Sequence, residues 1–337
     1  MVLTDLYLSA ESGPVPQAGD GSLPGIEFAG RCGTRTPLVQ GWRAWLARAL
    51  GRADLAEAAP ARVAAAVLGS GPQPSPAAQS LWLASPVHLS AGLSQVHLDH
   101  RGLLRLPAAE LATLAGSFAR AFAASGCALH PLPCGQFLLE APGIAVVATS
   151  EPARCAGGEI APALPRGAAA AGLRRLAAEI EMWLHAEVGG AASLGERPVN
   201  ALWLWGAAGH AAGLARAPLA QTCGYGVDPF LDGLWHLAHC TSRPLSETLA
   251  PLLTEAGAAR AVLALQVSEA LRESPQASFA QALRSLDDRF ISPALAALRR
   301  GTLARVTLVA NDCALEVRGA DRFRFWRRAR RGLAAFT

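Results

Sequence analysis

Between Leu173 and Gly206 the hydrophobic period of the chain changes once, and the rest of the sequence can be organised around that change. Leu173, Leu176, Ile180 and Leu184 recur three or four residues apart, while Arg174, Arg175, Glu179 and Glu181 fall off the stripe, which predicts an amphipathic helix with one buried face. The Gly/Ala run from Gly189 to Gly195 breaks that period, and Pro198 resets the backbone before Ala201-Leu202-Trp203-Leu204-Trp205, which ends at Gly206. Five apolar residues without alternation predict a strand covered on both faces, and therefore a central place in an α/β sheet. The two tryptophans read as core volume.

The same reading extends along the chain. Val2 to Ser9 predicts a short strand, and residues 10–35, rich in Gly, Pro, Ser and Asp, predict a loop. Thr36 reads as an N-cap with Pro37 in the first turn of a helix through Leu38, Trp42, Trp45, Leu46 and Leu50. Ala61 to Leu68 predicts another helix. Gly69 to Ala78, with Pro72, Pro74 and Pro76, reads as a linker. Residues 86–90 and 95–99 alternate about Ala91-Gly92-Leu93-Ser94 as a hairpin does. Leu111, Leu114, Phe118 and Phe122 then mark a helix from Pro107 to Ser125, stopped by Gly126, and two strands at 129–131 and 136–140 follow. Hairpin, helix and hairpin make a small α+β unit bracketed by Pro-rich and Gly-rich segments, the second being the low-complexity run 143–172. Further on, Asp228-Pro229 starts a helix and Ala258 to Val267 reads as a buried strand. Ser278 caps a helix through Phe279, Leu283, Leu286 and Phe290 that Pro293 breaks or kinks, Arg305 to Ala310 is a strand, and Leu315 to Val317 closes the sheet region.

This pattern predicts an α/β core of residues 1–79 and 151–337 with an α+β domain of residues 80–150 inserted into it. The chain has 337 residues, with 51% hydrophobic and 17% charged side chains, ample for a sizeable core. Its net charge of +4 demands no polyanionic partner, and every basic side chain is arginine. With no lysine, a Walker A phosphate loop, a Schiff-base lysine and a kinase-type strand lysine are excluded. The seven cysteines are scattered without a Cys-x-x-Cys, which reads as a reduced set with no zinc spacing. No basic start precedes an apolar run, and no stretch of about twenty apolar residues follows. The expected setting is the cytoplasm, with no membrane partner.

Glu179 to His185 followed by Pro198-Val199-Asn200-Ala201-Leu202-Trp203-Leu204-Trp205-Gly206 resembles the bacterial family labelled cofactor-independent phosphoglycerate mutase or regulator of pathogenicity factors, E type, and through it the archaeal-type phosphoglycerate mutases. Asp99-His100-Arg101-Gly102 looks like a reduced form of the Asp-Arg-Arg-x-Gly turn in the inserted domain of those mutases. Asp228 to Leu234 is similar to their Asp-Pro-Leu-x-x-Gly-Leu segment. The resemblance covers about residues 80–206, more weakly as far as 330. It implies an alkaline-phosphatase-like sheet flanked by helices, with a smaller inserted α+β domain. It also implies a manganese or magnesium centre in active members, with an early Asp-Gly after the first strand and an Asp-His pair late in the chain. Here Asp20-Gly21 follows no clear strand and reads as a turn. Asn311-Asp312-Cys313 carries cysteine in place of the histidine, and His185 is followed by Ala186-Glu187-Val188 rather than the family's His-Pro-Val.

The ligand-binding candidates that follow are Arg101, His185, Arg197, Asn200 and Asp228, with Asp312 a metal candidate and no catalytic residue assigned. His88 and His97 in the hairpin, and His236 and His239 at helical spacing, are pairs without a third ligand and read as structural. Arg322, Arg324, Arg327, Arg328, Arg330 and Arg331 interleave with Phe323, Phe325 and Trp326, a pattern able to grip phosphates or stack bases but expected to form a packed terminal helix with a solvated basic face. Two-metal phosphoryl transfer needs carboxylates, histidines, a nucleophile and phosphate-binding cations in one place, and these motifs do not supply the set. The expected function is therefore a degenerate, non-catalytic relative that needs no cofactor and binds a phosphorylated small molecule or a protein partner in a regulatory setting. The alternatives are an active manganese- or magnesium-dependent phosphoglycerate mutase or phosphatase, and a nucleic-acid-binding regulator working through the arginine-rich end.

Overall fold

The computed structural model describes residues 1–7, 22–69, 80–188, 197–209, 213–240, 242–254, 259–310, 312–323 and 332–336. By its internal contacts the chain divides into two units, Met1–Ala56 with Leu219–Gly226 and Thr241–Thr337, and Glu57–Pro218 with Val227–Cys240. The strands in chain order are β1 Val2–Leu3, β2 Thr34–Pro37, β3 Ser80–Ala91, β4 Val96–Leu103, β5 Ala128–Pro131, β6 Phe137–Glu140 and β7 Gly158–Glu159. They continue with β8 Ala201–Gly209, β9 Thr222–Tyr225, β10 Ser242–Arg243, β11 Arg260–Leu265, β12 Arg305–Ala310 and β13 Cys313–Arg318.

The first unit is α/β, a seven-stranded sheet in the order β10-β9-β11-β1-β12-β13-β2 flanked by helices. Strands β10 to β12 run parallel, and β13 and β2 are antiparallel additions. β1 is short but central, with Val2 opposite Ala264 on one side and Val309 on the other. Leu3, Leu265 and Leu308 meet Ile26, Phe290, Ile291 and Phe336 in its core, which is why the parallel strands read as continuous apolar runs.

Two expectations fail here. Thr36 is not a helix cap: Thr34–Pro37 pairs with β13 at the edge of the sheet, and the helix starts later, at Gly41–Ala49. β-branched Thr34 and Thr36 suit a strand, and a proline is tolerated at the end of an edge strand because its missing N–H is not needed there. The expected loop over 10–35 contains a helix, Pro24–Cys32. Its N-cap residue, Leu23, offers no side-chain cap. Instead both oxygens of the fully buried Asp287, 262 positions away, accept from Gly25 N (3.0 Å) and Ile26 N (2.9 Å).

Ser278 caps the helix Phe279–Leu286 through a reciprocal box with Gln281, as its sequence predicts. Pro293 does not end the helical run. A π-turn at Asp287–Ile291 joins that helix to Ser292–Arg299, the wider turn absorbing the proline's missing N–H.

The second unit is built on β3. One edge of this strand is taken by β6 along Leu81–Ala84 and then by β4 from Val87 to Ala91; its other edge is taken by β8 from Ser80 to Val87. All these pairs are antiparallel, and β5 and β7 extend the sheet outward. The predicted hairpin, the helix at Ala108–Ala121 and the second hairpin are all present. The expected 80–150 lobe lies inside this unit, which also holds residues from 57–79, 151–218 and 227–240.

β8 is the correction that matters most for the site. It is not a central strand of the parallel sheet but an antiparallel partner of β3. Its two faces are nonetheless covered, as its apolar run requires. Leu202 and Leu204 pack with Leu176, Ile180, Trp183 and Leu184 of the helix Ala171–Val188, whose boundaries match the predicted stripe. Trp203 and Trp205 pack with Ala61 and Ala64 of the helix Pro60–Ala65. Their indole N–H groups donate to Ser150 O and to Ser85 Oγ, each at 2.8 Å. A continuous apolar run reports the cover on its faces, not the partner on its edge.

Candidate functional site

In an α/β unit the carboxyl ends of the parallel strands are where ligand groups gather. Thr4 and Asp5 follow β1, Gln266 follows β11, and Asp312 follows β12. Asp5 is 5% exposed, and its two oxygens accept from Val267 N and Ser268 N, each at 2.8 Å. Those amides begin the helix Val267–Glu273, so the strand-end carboxylate serves as the cap that Gln266, at the N-cap position, does not supply. Gln266 Nε2 instead donates to Thr4 Oγ1 at 3.1 Å.

The metal candidate Asp312 lies between β12 and β13, whose pairing ends with Ala310 opposite Cys313. Its φ of 56° is left-handed, and its carbonyl accepts from Leu38 N at 2.7 Å. Cys313 is buried, and its sulfur accepts from Arg35 Nε at 3.4 Å. Among the described residues no three His, Cys, Asp or Glu side chains gather where they could hold a metal. The donors at these strand ends do not fit the two-metal centre that the resemblance implies. Asp20 lies outside the described residues. Asp5, two residues past the apolar Val2-Leu3, is the strand-end acid that this pattern marks.

Three of the ligand-binding candidates cluster in the second unit, where the β3–β4 hairpin meets the entrance to β8. Asp99 Oδ1 accepts from Arg101 N at 2.7 Å, and Asp99 Oδ2 lies 3.9 Å from Arg197 Nη1. Arg197 is 35% exposed and Asp99 49%, so this ion pair is open to competition by another anion. Asn200 has a different task. Its N donates to Val87 O, its Oδ1 accepts from Leu89 N and its Nδ2 donates to Leu89 O, both side-chain bonds at 2.8 Å. The side-chain amide thus extends the β3–β8 ladder as a backbone group would. Nearby, His88 Nδ1 is 2.8 Å from Pro198 O. The exposed His185 stands in the last turn of Ala171–Val188, where a cation is favoured.

Asp228 caps the helix Pro229–Ala238, its Oδ1 accepting from Phe230 N (2.9 Å) and Leu231 N (3.2 Å). One turn further on is a residue that the sequence reading missed. Burial, and then the negative charge of Asp228, push the Asp232 carboxyl up to about 7, with Arg105 pulling the other way. Asp232 Oδ2 and Trp235 Nε1 are both buried without a hydrogen-bond partner among the described residues. Arg105 Nη2 donates to Val227 O at 2.7 Å. Burial, reinforced by Asp232, raises the adjacent Cys134 thiol far above its usual range, which makes it inert. A hint lay in the i, i+4 spacing of the two acids. Gly233 in the same motif is structural: a Cβ there would collide with Val63 O. His236 lies 3.1 Å from Arg216 Nη2, while His239 adopts a left-handed φ of 52° after the helix. The arginine-rich 324–331 and the Gly/Ala loop 189–196 lie outside the described residues.

No family model matches the chain, and neither does any curated protein. Among solved structures, the cofactor-independent phosphoglycerate mutase from Thermoplasma acidophilum is 12% identical, covering 93% of this chain and 86% of its own, with a TM-score of 0.36. The PH0037 protein from Pyrococcus horikoshii is 11% identical over 96% of this chain and 88% of its own, with a TM-score of 0.45. The fold class itself, a mixed α/β chain with a central sheet flanked by helices, is read from the strand order and pairing.

Proposed function

We propose that this chain is a non-catalytic relative of the phosphoglycerate mutase-like proteins that acts by binding a phosphorylated small molecule. The observation that carries the reading is the engagement of Asp5: both oxygens of the strand-end carboxylate cap a helix. A carboxylate held by two backbone amides is poorly disposed to give those oxygens to a cation, because releasing them would leave two N–H groups unsatisfied. Arg197, with Arg101 beside the same Asp99, offers the phosphate group its contact.

Two assays test this. Purified protein supplied with manganese is expected to leave 2- and 3-phosphoglycerate unconverted, and turnover that a chelator abolishes would overturn the non-catalytic half. Phosphorylated three-carbon acids are expected to raise the melting temperature of the parent chain and to lose that effect in Arg197→Gln. An equal rise in both proteins would remove the Asp99–Arg197 region from the reading.

A further inference from the structure

The last turn of the helix Pro229–Ala238 carries His236, and the loop before β9 is tied to that turn by a bond from Ala217 N to Leu237 O at 3.0 Å. The tie sets the neighbouring Arg216 beside the imidazole, with Arg216 Nη2 3.1 Å from His236 Nε2. A guanidinium can only donate, so Nε2 is the acceptor and the ring is neutral, with its proton on Nδ1. All of these residues belong to the second unit.

Arg216 is exposed, and among the described residues it makes no ion pair with a carboxylate; its partner is the imidazole. His239, exposed at the left-handed position that ends the helix, brings a second imidazole to the same end. Burial, and then the positive charges of Arg216 and His239, push the His236 imidazolium below its usual range. The charges that act on Asp232, four positions earlier, are those of Asp228 and Arg105. Three groups able to carry positive charge thus share one helix end, with no acid joining them among the described residues.

The geometry points to a seat for a tetrahedral dianion, free or borne on a phosphomonoester, between Arg216 and His236, filled with uptake of one proton from solvent. His236 Nε2 holds the position at Arg216 that an anion oxygen would take. When an oxygen replaces it, Arg216 donates to the anion, and the released Nε2 takes a proton and donates to a second oxygen. One contact to a neutral ring becomes two bonds to an anion, each charge-assisted. The last turn of a helix favours the imidazolium so formed. The seat uses none of the Asp99–Arg197 residues and stands without that reading.

The test is an NMR titration of the full chain at constant ionic strength, followed at the His236 ring signal that His236→Gln removes. Sulfate is the first probe, because its charge does not change across the range studied, with methyl phosphate as the ester and acetate as a planar monoanion. Sulfate is expected to move the His236 titration midpoint upward and to bind about tenfold more tightly at pH 6 than at pH 8, as uptake of a proton requires. Methyl phosphate binding as sulfate does assigns the seat to an ester-borne group, and sulfate binding alone assigns it to the free dianion; either supports the seat. Arg216→Gln should weaken sulfate by about tenfold or more, with a melting temperature near that of the parent chain. His236→Gln should bind more weakly and without pH dependence, and Arg197→Gln should leave the His236 response unchanged, which separates this site from the other. A His236 midpoint that sulfate leaves in place, equal affinity at pH 6 and pH 8, acetate binding as well as sulfate, or an Arg216→Gln protein that binds as the parent does would overturn the proposal.

Discussion

Asp5 and Asp232 are acids of the same type placed close to the start of a helix in different units, and they have met opposite fates. Asp5 is 5% exposed and has both oxygens satisfied by backbone amides. Asp232 has one oxygen buried without a partner, Asp228 one turn away, and a carboxyl pushed up to about 7. The first is committed to the scaffold and the second is not. The contrast teaches that a strand-end acid is not evidence of chemistry until its oxygens have been accounted for.

Asp5→Ala should produce the largest loss. It strips the cap from Val267–Glu273 and leaves two buried donors, so thermal and urea melts should show a loss of about 2–3 kcal/mol. A variant as stable as the parent would remove Asp5 from the scaffold and reopen a catalytic reading.

Asp232→Asn should act in the opposite direction. Its folded-state carboxyl titrates at about 7 against an ordinary 3.8, so from about pH 4 to 7 the folded chain keeps a proton that the unfolded chain has lost. Stability on this account falls as pH rises through that window. The variant should be more stable than the parent by about 1–2 kcal/mol at pH 8, a discounted share of what such a shift implies, and little different near pH 4. Subtracting the two melting curves isolates this group from the others that titrate, and a difference that does not change with pH would contradict it.

Asn200→Ala should cost about 1 kcal/mol at most sites of this exposure, because it removes one extra rung from the β3–β8 ladder. Arg197→Gln should be the mildest, within about 0.5 kcal/mol, since an exposed pair at 3.9 Å contributes little. If Arg197→Gln proves more destabilising than Asn200→Ala, the assignment of one to the ligand and the other to the scaffold is inverted.

What could be read from the sequence follows how local its causes are. The 108–121 helix, the Ser278 box and the Asp228 cap are set by residues within a few positions of one another, and all three were legible. The starts of Pro24–Cys32 and Val267–Glu273 were not, because their caps, Asp287 and Asp5, come from 261 to 263 positions away. β8 was recognised as covered on both faces but set in the wrong sheet, since hydrophobic pattern does not encode edge partners. At the candidate site, Asn200 and Asp228 were picked out by motif and given local structural roles by the fold. Asp232 went unnoticed because its state depends above all on burial, which the i, i+4 spacing does not reveal.

The central claim is that Asp5 belongs to the scaffold and holds no metal. Melting the parent chain and Asp5→Asn with and without manganese tests it most directly. The account predicts that manganese leaves the parent's melting temperature where it was, and that Asp5→Asn melts lower by the same margin in both conditions. A manganese-dependent rise of several degrees in the parent that disappears in Asp5→Asn would contradict it.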